Sequence, residues 1–327
     1  MPNVLITTVP FADKNRLPLE LLDAAGIEYL INPIGRKLQE DELAEMISDF
    51  DVLIAGTEPI TRKVLKNASQ LKFISRVGIG LDNVDLCAAR EMGISVSYTP
   101  DAPAPAVAEL TIGLMLSLLR SIHVANIQMH RGEWHRYFGR RISEVTIGII
   151  GTGRIGGRVL RRLASFGTPK ILVNDIHPDL KLVPKLKLEW VGKEEIYQHA
   201  DLISLHLPLT PSSKKMICRN QLLKMKSDAL LINTSRGGII DENDLAEVLK
   251  SGHLGGAAID VFEREPYSGI LSQIDRCLLT SHMGSMSVDC RTRMEIEATE
   301  EAIRFLTGET LNSLVPLSEY ELQKHRA

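Results

Sequence analysis

The sequence lacks the features that mark disulfide-rich, membrane-spanning and nucleic-acid-coating proteins. Its four cysteines are spread along 327 residues without a C-x-x-C pair. This argues against a disulfide framework or a metal site and predicts free thiols in a reducing cytoplasm. No apolar run approaches the roughly 18 residues that cross a membrane, and the N-terminus lacks the basic region and apolar core of a signal peptide. Lys and Arg total 38 against 41 Asp and Glu, so we expect no nucleic-acid or membrane partner.

Two stretches of the chain alternate short apolar runs with longer amphipathic segments. The first covers about the first hundred residues, and the second runs from VTIGII through KILVND, ADLISLHLP, DALLIN and GGAAIDVF to RCLLTSH. Buried strands that alternate with helices form a parallel sheet with helices on both faces. At roughly 150 residues per domain, the chain has room for two such units. The predicted fold class is therefore α/β, with two doubly wound parallel-sheet domains.

The segment between these stretches, residues 103–131, predicts one long helix. Prolines at 103 and 105 fit its first turn, where the missing N–H group has no partner inside the helix. Leu110, Leu114 and Leu118 form one apolar stripe, and Ile112 and Leu116 make a second face apolar. Because a helix that is apolar on two faces must be buried on both sides, we expect it to lie between the subunits of a homodimer or in the core of one chain.

The segment VTIGIIGTGRIGGRV contains G-x-G-x-x-G between an apolar strand and a helix. Gly151 suits the tight turn, Gly153 allows the backbone to approach a pyrophosphate, and Gly156 allows close packing of helix on strand. The helix N-terminus offers unpaired N–H groups to the phosphates. Asp175 follows the next strand, where its carboxylate can accept hydrogen bonds from ribose hydroxyls and would repel the 2′-phosphate of NADP. The predicted cofactor is therefore NAD.

Three charged side chains follow consecutive predicted strands of the second stretch. Arg236 follows DALLIN, Glu265 follows GGAAIDVF and His282 follows CLLTS, at the strand ends where open parallel sheets bind ligands. A guanidinium can hold a carboxylate and polarise a carbonyl, and an imidazole can exchange a proton beside a carboxylate that stabilises its charged form. Each residue alone also fits an ordinary role, as a surface arginine, a capping acid or a core histidine. Together they predict an enzyme that transfers a hydride and a proton.

Segments along the whole chain resemble those of the D-isomer-specific 2-hydroxyacid dehydrogenases. In order, they are SRVGIGLDNVD, VAEL, GTGRIG, HLPLTP, NTSRGGIID, AAIDVFEREP and SHMGS. The resemblance implies an NAD-dependent enzyme that interconverts a D-2-hydroxy acid and its 2-oxo acid, the small-molecule partner. It implies a Rossmann NAD domain at residues 100–286, inserted into a flavodoxin-like substrate domain at residues 1–99 and 287–327. It also implies an active site in the cleft between the domains and a homodimer built around the long helix.

The resemblance also assigns roles to individual residues. Arg236 would bind the carboxylate and carbonyl of the substrate, His282 would be the acid/base, and Glu265 would orient His282. The backbone amides of Val77 and Gly78 would hold the substrate carboxylate. The full set of expected contacts comprises Gly151, Gly153, Arg154, Ile155, Gly156, Asp175, His206, Pro208, Thr234, Ser235, Asp260 and Gly284 for the cofactor, and Arg76, Val77 and Gly78 for the substrate.

Within the family, GLDNVD, RGGIIDE and DVFEREP most resemble the catalytic core of D-3-phosphoglycerate dehydrogenases. The sequence has Ala55-Gly56 after its third strand, where some phosphoglycerate enzymes place a basic residue that assists phosphate binding. Glyoxylate or hydroxypyruvate reduction is therefore the alternative activity. An NAD-sensing binding protein, of the corepressor type related to these enzymes, is the alternative of another class. Because the sequence ends at residue 327, we expect a short form without the C-terminal regulatory domains of longer members.

Overall fold

Two parallel sheets, each in a separate unit of the chain, carry the fold. The computed structural model describes residues 3–167, 169–179, 182 and 186–324. Unit 1 consists of Met1–Pro103 and Met286–Ala327, and unit 2 consists of Ala104–Ser285. Five strands form the sheet of unit 1 and seven form that of unit 2, and all strand pairings are parallel. This confirms the prediction of two doubly wound parallel-sheet domains.

The strands and helices alternate along both units. The strands are β1 Asn3–Ile6, β2 Glu28–Ile31, β3 Val52–Ala55, β4 Phe73–Arg76, β5 Ser95–Tyr98, β6 Thr146–Ile150, β7 Lys170–Asn174, β8 Leu188–Trp190, β9 Leu202–Leu205, β10 Leu230–Asn233, β11 Gly256–Ile259 and β12 Cys277–Leu279. The helices are α1 Leu17–Ala24, α2 Glu40–Met46, α3 Arg62–Asn67, α4 Leu86–Glu91, α5 Ala104–Leu119, α6 Ile122–His130, α7 Arg154–Leu163, α8 Lys193–His199, α9 Arg219–Lys224, α10 Glu242–Lys250, α11 Val288–Thr307 and α12 Leu317–Lys324.

The sheet of unit 1 has the strand order β2-β1-β3-β4-β5. Every residue of β3 and β4 is buried because helices cover both faces of a parallel sheet. Helix α11 returns to this sheet near the end of the chain, where Phe305 stacks on Phe73 with ring centroids 4.6 Å apart. Packing of α11 on the sheet is therefore what places the C-terminal segment in unit 1.

The sheet of unit 2 has the order β12-β11-β10-β9-β6-β7-β8. The chain leaves β6 toward β7 on one side and returns to β9 on the other, so the carboxyl ends of β6 and β9 flank the switch point of this sheet. Ligands bind at such points in open parallel sheets. The sequence analysis did not predict β8, because this edge strand has only three residues and none of them is buried.

The prediction of one long helix over residues 103–131 is wrong, because the structure has two helices there. Helices α5 and α6 meet at an angle of 65°, and Ser121 between them has φ +51° in the left-handed region, which breaks the helical path. Helix α5 is buried in unit 2, with Ala108, Thr111 and Met115 fully covered, whereas α6 has no buried residue. Among the described residues no single helix has the length and apolarity of a membrane span, although α5 and α6 counted together would.

Candidate active site

The charged residues predicted from the sequence follow three neighbouring strands of unit 2. Strands β10, β11 and β12 lie side by side and parallel, so Arg236, Glu265 and His282 all follow strand ends at the same edge of the sheet. His282 Nδ1 lies 2.8 Å from Glu265 Oε2. The two side chains are 43% and 31% exposed, which leaves the pair accessible to a ligand. The structure therefore brings Glu265 and His282 into contact, as the sequence predicts.

The turn that carries Arg236 is fixed by Asn233, the last residue of β10. Asn233 Nδ2 donates to the carbonyl of Arg236 at 2.8 Å, and Asn233 Oδ1 accepts from the amide and hydroxyl of Ser235 at 3.1 and 2.7 Å. Arg236 Nη1 in turn donates to the carbonyl of Ser235 at 2.6 Å. The sequence analysis missed this role of Asn233. The signal was present, because an asparagine at the end of a strand commonly bonds the backbone two residues on.

The loop that carries His282 is fixed by the fully buried carboxylate of Asp260. Asp260 Oδ1 accepts from Thr280 Oγ1 at 2.6 Å and from the amide of Met283 at 2.9 Å, while Oδ2 accepts from the amide of Gly284 at 3.0 Å. His282 has φ +50°, a left-handed conformation that costs a residue with a Cβ about 1–2 kcal/mol. The hydrogen bonds to Asp260 hold the loop in that conformation. Cofactor contacts of Asp260 and Gly284 remain predictions.

The glycines of the G-x-G-x-x-G segment differ in their surroundings. A Cβ at Gly151 would overlap the carbonyl of His206, and one at Gly156 would overlap the carbonyl of Gly151. Gly153, in contrast, has no neighbouring atom within 4 Å of the Cβ position. Gly151 and Gly156 are therefore required by packing, and Gly153 leaves open space beside the N-terminus of α7. Arg154 and Ile155, two predicted cofactor contacts, are the first two residues of that helix.

Asp175 follows β7 and reaches back to the glycine-rich turn. Its Oδ2 accepts from the amide and hydroxyl of Thr152 at 2.6 and 3.0 Å, and its Oδ1 accepts from the amide of His177 at 2.9 Å. Burial alone would raise the pKa of Asp175, but the hydrogen bonds from His177 and Thr152 outweigh it and hold the pKa below its usual value. The carboxylate is therefore ionised at neutral pH.

His206 follows β9 and lies on the other side of the switch point from Gly151. Burial lowers the pKa of His206 to about 3, so the ring is neutral at physiological pH. Its Nε2 lies 3.0 Å from Ser204 Oγ, whereas Nδ1 is buried and has no hydrogen-bond partner among the described residues. Pro208, another predicted cofactor contact, is exposed two residues further on.

Thr234 is buried at the end of β10 and pairs with a helix. Its Oγ1 lies 2.9 Å from Thr111 Oγ1 on α5, and Thr111 Oγ1 also donates to the carbonyl of Val107 at 2.8 Å. Since the Thr111 proton is used by Val107, the Thr234 hydroxyl is the donor between the two threonines, and its lone pairs stay available as acceptors. The sequence analysis predicted Thr234 as a cofactor contact but did not anticipate Thr111.

The predicted substrate-binding residues lie in unit 1, where Arg76 ends β4 and Val77 and Gly78 follow it. The amide of Val77 donates to the carbonyl of Ala55 at 2.9 Å, and the amide of Gly78 donates to Thr99 Oγ1 at 2.8 Å. The guanidinium of Arg76 donates to the carbonyl of Val77. Both amides thus have protein partners in this structure, and a substrate carboxylate bound here would share them. The substrate contact of these residues remains a prediction.

The residues at the switch point of unit 2 fit a dinucleotide. Gly153 leaves open space at a helix N-terminus, Asp175 presents an ionised carboxylate beside it, and His206 has a buried ring nitrogen without a protein partner. Phosphates bind where helix amides are unpaired, and a carboxylate after the second strand accepts from ribose hydroxyls.

In the parts of the chain that the structure describes, no group of three or more His, Cys, Asp or Glu side chains is arranged to hold a metal ion.

Comparison with known proteins gives one consistent family. A sequence profile described as "D-isomer specific 2-hydroxyacid dehydrogenase, NAD binding domain" matches residues 112–284. A D-3-phosphoglycerate dehydrogenase from Methanocaldococcus jannaschii is 40% identical over 302 residues, 89% of this chain and 56% of its own length. A hydroxypyruvate reductase from Thermotoga maritima is 37% identical over 87% of this chain and 96% of its own.

A solved structure is also similar to this chain over nearly its full length. The crystal structure of a glyoxylate reductase from Paecilomyes thermophila matches with a TM-score of 0.84 and 29% identity, over 97% of this chain and 99% of its own. The chain thus spans little more than half of the M. jannaschii relative but nearly the full length of the two reductases. The chain belongs to the D-isomer-specific 2-hydroxyacid dehydrogenase family, and residues 112–284 form its NAD-binding domain.

Proposed function

We propose that this protein interconverts a D-2-hydroxy acid and its 2-oxo acid, with NAD as the hydride carrier. The observation that carries the proposal is the 2.8 Å contact between His282 Nδ1 and Glu265 Oε2. Arg236 follows the strand beside the one that Glu265 follows. The Nδ1–H group donates to the carboxylate, which leaves Nε2 as the atom that exchanges a proton with a substrate. Family membership and the fit of a dinucleotide at the switch point support the same conclusion.

The reducing direction assigns one task to each charged residue. Bound NADH supplies the hydride that the carbonyl carbon of the 2-oxo acid receives. His282 Nε2–H donates its proton to the carbonyl oxygen, so the carbonyl group becomes a hydroxyl group, and the neutral ring then takes up a proton from the solution. Glu265 stabilises the imidazolium before transfer, and the guanidinium of Arg236 holds the substrate carboxylate and polarises the carbonyl.

The remaining predicted contacts belong to the same proposal. Residues 100–286 would hold NAD, with Gly153, Arg154 and Ile155 at the pyrophosphate and Asp175 at the ribose. Thr234 would accept from the carboxamide of the nicotinamide, because its own proton points to Thr111. Residues 1–99 and 287–327 would contribute the substrate domain, with Arg76, Val77 and Gly78 near the substrate carboxylate.

Two substrate classes are open. The 40% identity to a D-3-phosphoglycerate dehydrogenase favours a phosphorylated three-carbon acid. The nearly complete coverage of a hydroxypyruvate reductase and the Ala55-Gly56 sequence after β3 favour an unphosphorylated acid. We propose the phosphorylated acid as the substrate and keep the unphosphorylated acid as the alternative.

The reaction is tested by its stereochemistry. With NAD and either D-glycerate or L-glycerate, we expect NADH to form with the D-isomer alone. Equal rates with both isomers, or a preference for the L-isomer, would contradict the proposal.

We propose a homodimer because α6 and the segment that follows it expose apolar side chains. Helix α6 has no buried residue, and Ile122 and Met129 on it are each 53% exposed. Trp134 and Phe138, in the segment that follows, are 79% and 105% exposed. A soluble chain that presents these apolar side chains together is suited to bury them against a second copy. All four cysteines are free thiols, which supports a cytoplasmic location.

A further inference from the structure

The loop between β11 and β12 carries Glu265, and a second glutamate, from α10, holds the start of this loop. Glu242 is the first residue of α10, and its Oε1 accepts from the amide of Glu263 at 2.8 Å. The neighbouring amide, that of Phe262, donates to Glu265 Oε1 at 3.0 Å. Two consecutive amides of the loop therefore bind carboxylates, one from α10 and one from the residue that contacts His282.

Helix α10 does not need the Glu242 side chain for its own N-terminus. Asp241 caps the helix, because its Oδ1 accepts from the amides of Asn243 and Asp244, each at 3.1 Å. Such a cap satisfies amides that have no partner inside the helix. The Glu242 side chain instead bonds to a loop that lies 21 residues further along the chain.

The surroundings of Glu242 disfavour a negative charge. The residue is half-buried, and burial raises the pKa of its carboxyl, with the negative charges of Glu263 and Asp241 acting in the same direction. The hydrogen bond from the Glu263 amide opposes this rise without overcoming it. What the position supplies to the loop is therefore a hydrogen-bond acceptor at a fixed distance rather than a charge.

The same loop is held again after Glu265. The ring of Tyr267 stacks on that of Phe262 with centroids 4.0 Å apart, and Tyr267 Oη accepts from the amide of Leu271 at 3.1 Å. Glu265 thus lies between two attachments, one at Glu263 and one at Tyr267. The attachment at Glu263 is the one that comes from a separate helix.

We propose that Glu242 is a positioning residue for the reaction, because its bond to the amide of Glu263 holds the loop in which Glu265 meets His282; this inference rests on the proposed function. Its contact is with the backbone of the loop, so it acts through Glu265 and not on the reacting atoms. A displacement of about 1 Å in a catalytic group can cost about 100-fold in rate, which is the effect that the bond prevents.

Two substitutions separate the reach of Glu242 from its charge. Glu242→Gln keeps the length and an acceptor oxygen and removes the charge, whereas Glu242→Asp keeps the charge and shortens the side chain by a methylene. With NADH and the 2-oxo acid that the parent reduces best, we expect Glu242→Asp to lower kcat by about tenfold to 100-fold. Glu242→Gln should stay within about threefold of the parent, since a neutral acceptor still makes a hydrogen bond worth about 1 kcal/mol.

The matched control is Asp244→Ala. Asp244 lies in the first turn of the same helix, and its Oδ2 also accepts a backbone amide from another segment, that of Arg219 at 2.8 Å. That segment carries none of the three charged residues, so the control should keep kcat. Thermal melting and NADH titration show that each variant is folded and binds the cofactor. Glu242→Asp retains an acid in the first turn, which suits a helix N-terminus.

A second comparison shows whether Glu242 acts through Glu265. Glu265→Gln alone should lower kcat, and adding Glu242→Asp to it should lower kcat further by no more than about threefold, because residues of one network do not act additively. A general loosening of the fold would lower kcat by the same factor in both backgrounds. Single-turnover NADH oxidation at high protein concentration quantifies the slow variants.

Three outcomes overturn the inference and leave the proposed dehydrogenase activity intact. They are a folded Glu242→Asp protein with the parent kcat, a Glu242→Gln protein slower than Glu242→Asp, and an equal loss from Glu242→Asp with and without Glu265→Gln. A parent protein that binds NADH but reduces no 2-oxo acid, glyoxylate and pyruvate included, overturns the proposed function and this inference with it.

Discussion

At the scale of single residues, we propose that His282 and Glu265 act as one proton-donating unit, in which the carboxylate 2.8 Å from Nδ1 holds the ring and leaves Nε2 for the substrate. Replacement of His282 by Ala should lower kcat by about 10²–10⁴-fold, the usual contribution of a general acid. NADH affinity should stay near that of the parent protein, since the ring transfers a proton and is not a predicted cofactor contact. The measurement is steady-state kinetics together with NADH titration by fluorescence.

A histidine elsewhere in unit 2 provides the control for this variant. His253 pairs with a backbone carbonyl, its Nε2 lying 3.0 Å from the oxygen of Met225, so His253→Ala should keep kcat. A His282→Ala protein that turns over at the parent rate would remove His282 from the mechanism.

We expect Asp175 to set the cofactor preference through its charge. Because hydrogen bonds hold its pKa below the usual value, it is ionised, and we expect it to repel the 2′-phosphate of NADP. Asp175→Ala should raise the ratio of NADPH to NADH efficiency by at least about tenfold. Glu189→Ala, which removes an exposed acid on β8 of the same unit, should not change it. Unchanged selectivity in Asp175→Ala would show that the ribose contact lies elsewhere.

His206 should make stability depend on pH. Its pKa falls from 6.5 to about 3 on folding because of burial, so between these values the unfolded chain binds one proton more than the native protein. Stability from this group is therefore present above pH 6.5 and is lost as pH falls toward 3. In thermal melts at pH 7 and pH 5, His206→Gln should lose less Tm on acidification than the parent. Equal losses would show that His206 is not buried as a neutral ring.

At the scale of the elements, two glycines of the glycine-rich turn are expected to have different roles: Gly156 in folding and Gly153 in cofactor binding. Gly156→Ala would press a Cβ against the carbonyl of Gly151 and should cost about 1–3 kcal/mol of stability, as overpacking usually does, together with NADH affinity. Gly153→Ala meets no protein atom, so it should keep stability and lose only NADH affinity. Urea unfolding and NADH titration of both variants distinguish the roles. A Gly153→Ala protein that binds NADH normally would refute a pyrophosphate at this position.

The elements also show how far sequence patterns reach. Sequence patterns predicted three features: the G-x-G-x-x-G turn, the contact of Glu265 with His282 and the parallel sheets. Each could be predicted because the strands are clearly apolar and the polar or glycine residues follow directly at their ends. The break at Ser121 does not, since nothing in a serine between two apolar segments demands a left-handed φ. Asp260 accepts three hydrogen bonds from the loop that carries His282. These bonds join separate segments of the chain, so only the folded structure reveals them. Strand β8 was missed because it is short and half-exposed.

At the scale of the whole molecule, the exposed apolar surface after α5 predicts a second copy of the chain. Phe138→Glu places a charge on that surface and should convert a dimer into a folded monomer, measured by light scattering at micromolar concentration. Leu317→Glu changes a residue that is 67% exposed in unit 1 and should leave the dimer intact. A parent protein that is already a monomer at this concentration would contradict the homodimer.

The central claim is that this chain reduces 2-oxo acids with NADH. The direct measurement is NADH oxidation by the purified protein with glyoxylate, pyruvate, hydroxypyruvate and 3-phosphohydroxypyruvate, and with NADPH as the control cofactor. We predict turnover with NADH on at least one of these acids, a loss of about 10²–10⁴-fold in His282→Ala, and little turnover with NADPH. Bound NADH without turnover on any of them would contradict the account and favour a protein that senses NAD and controls a partner.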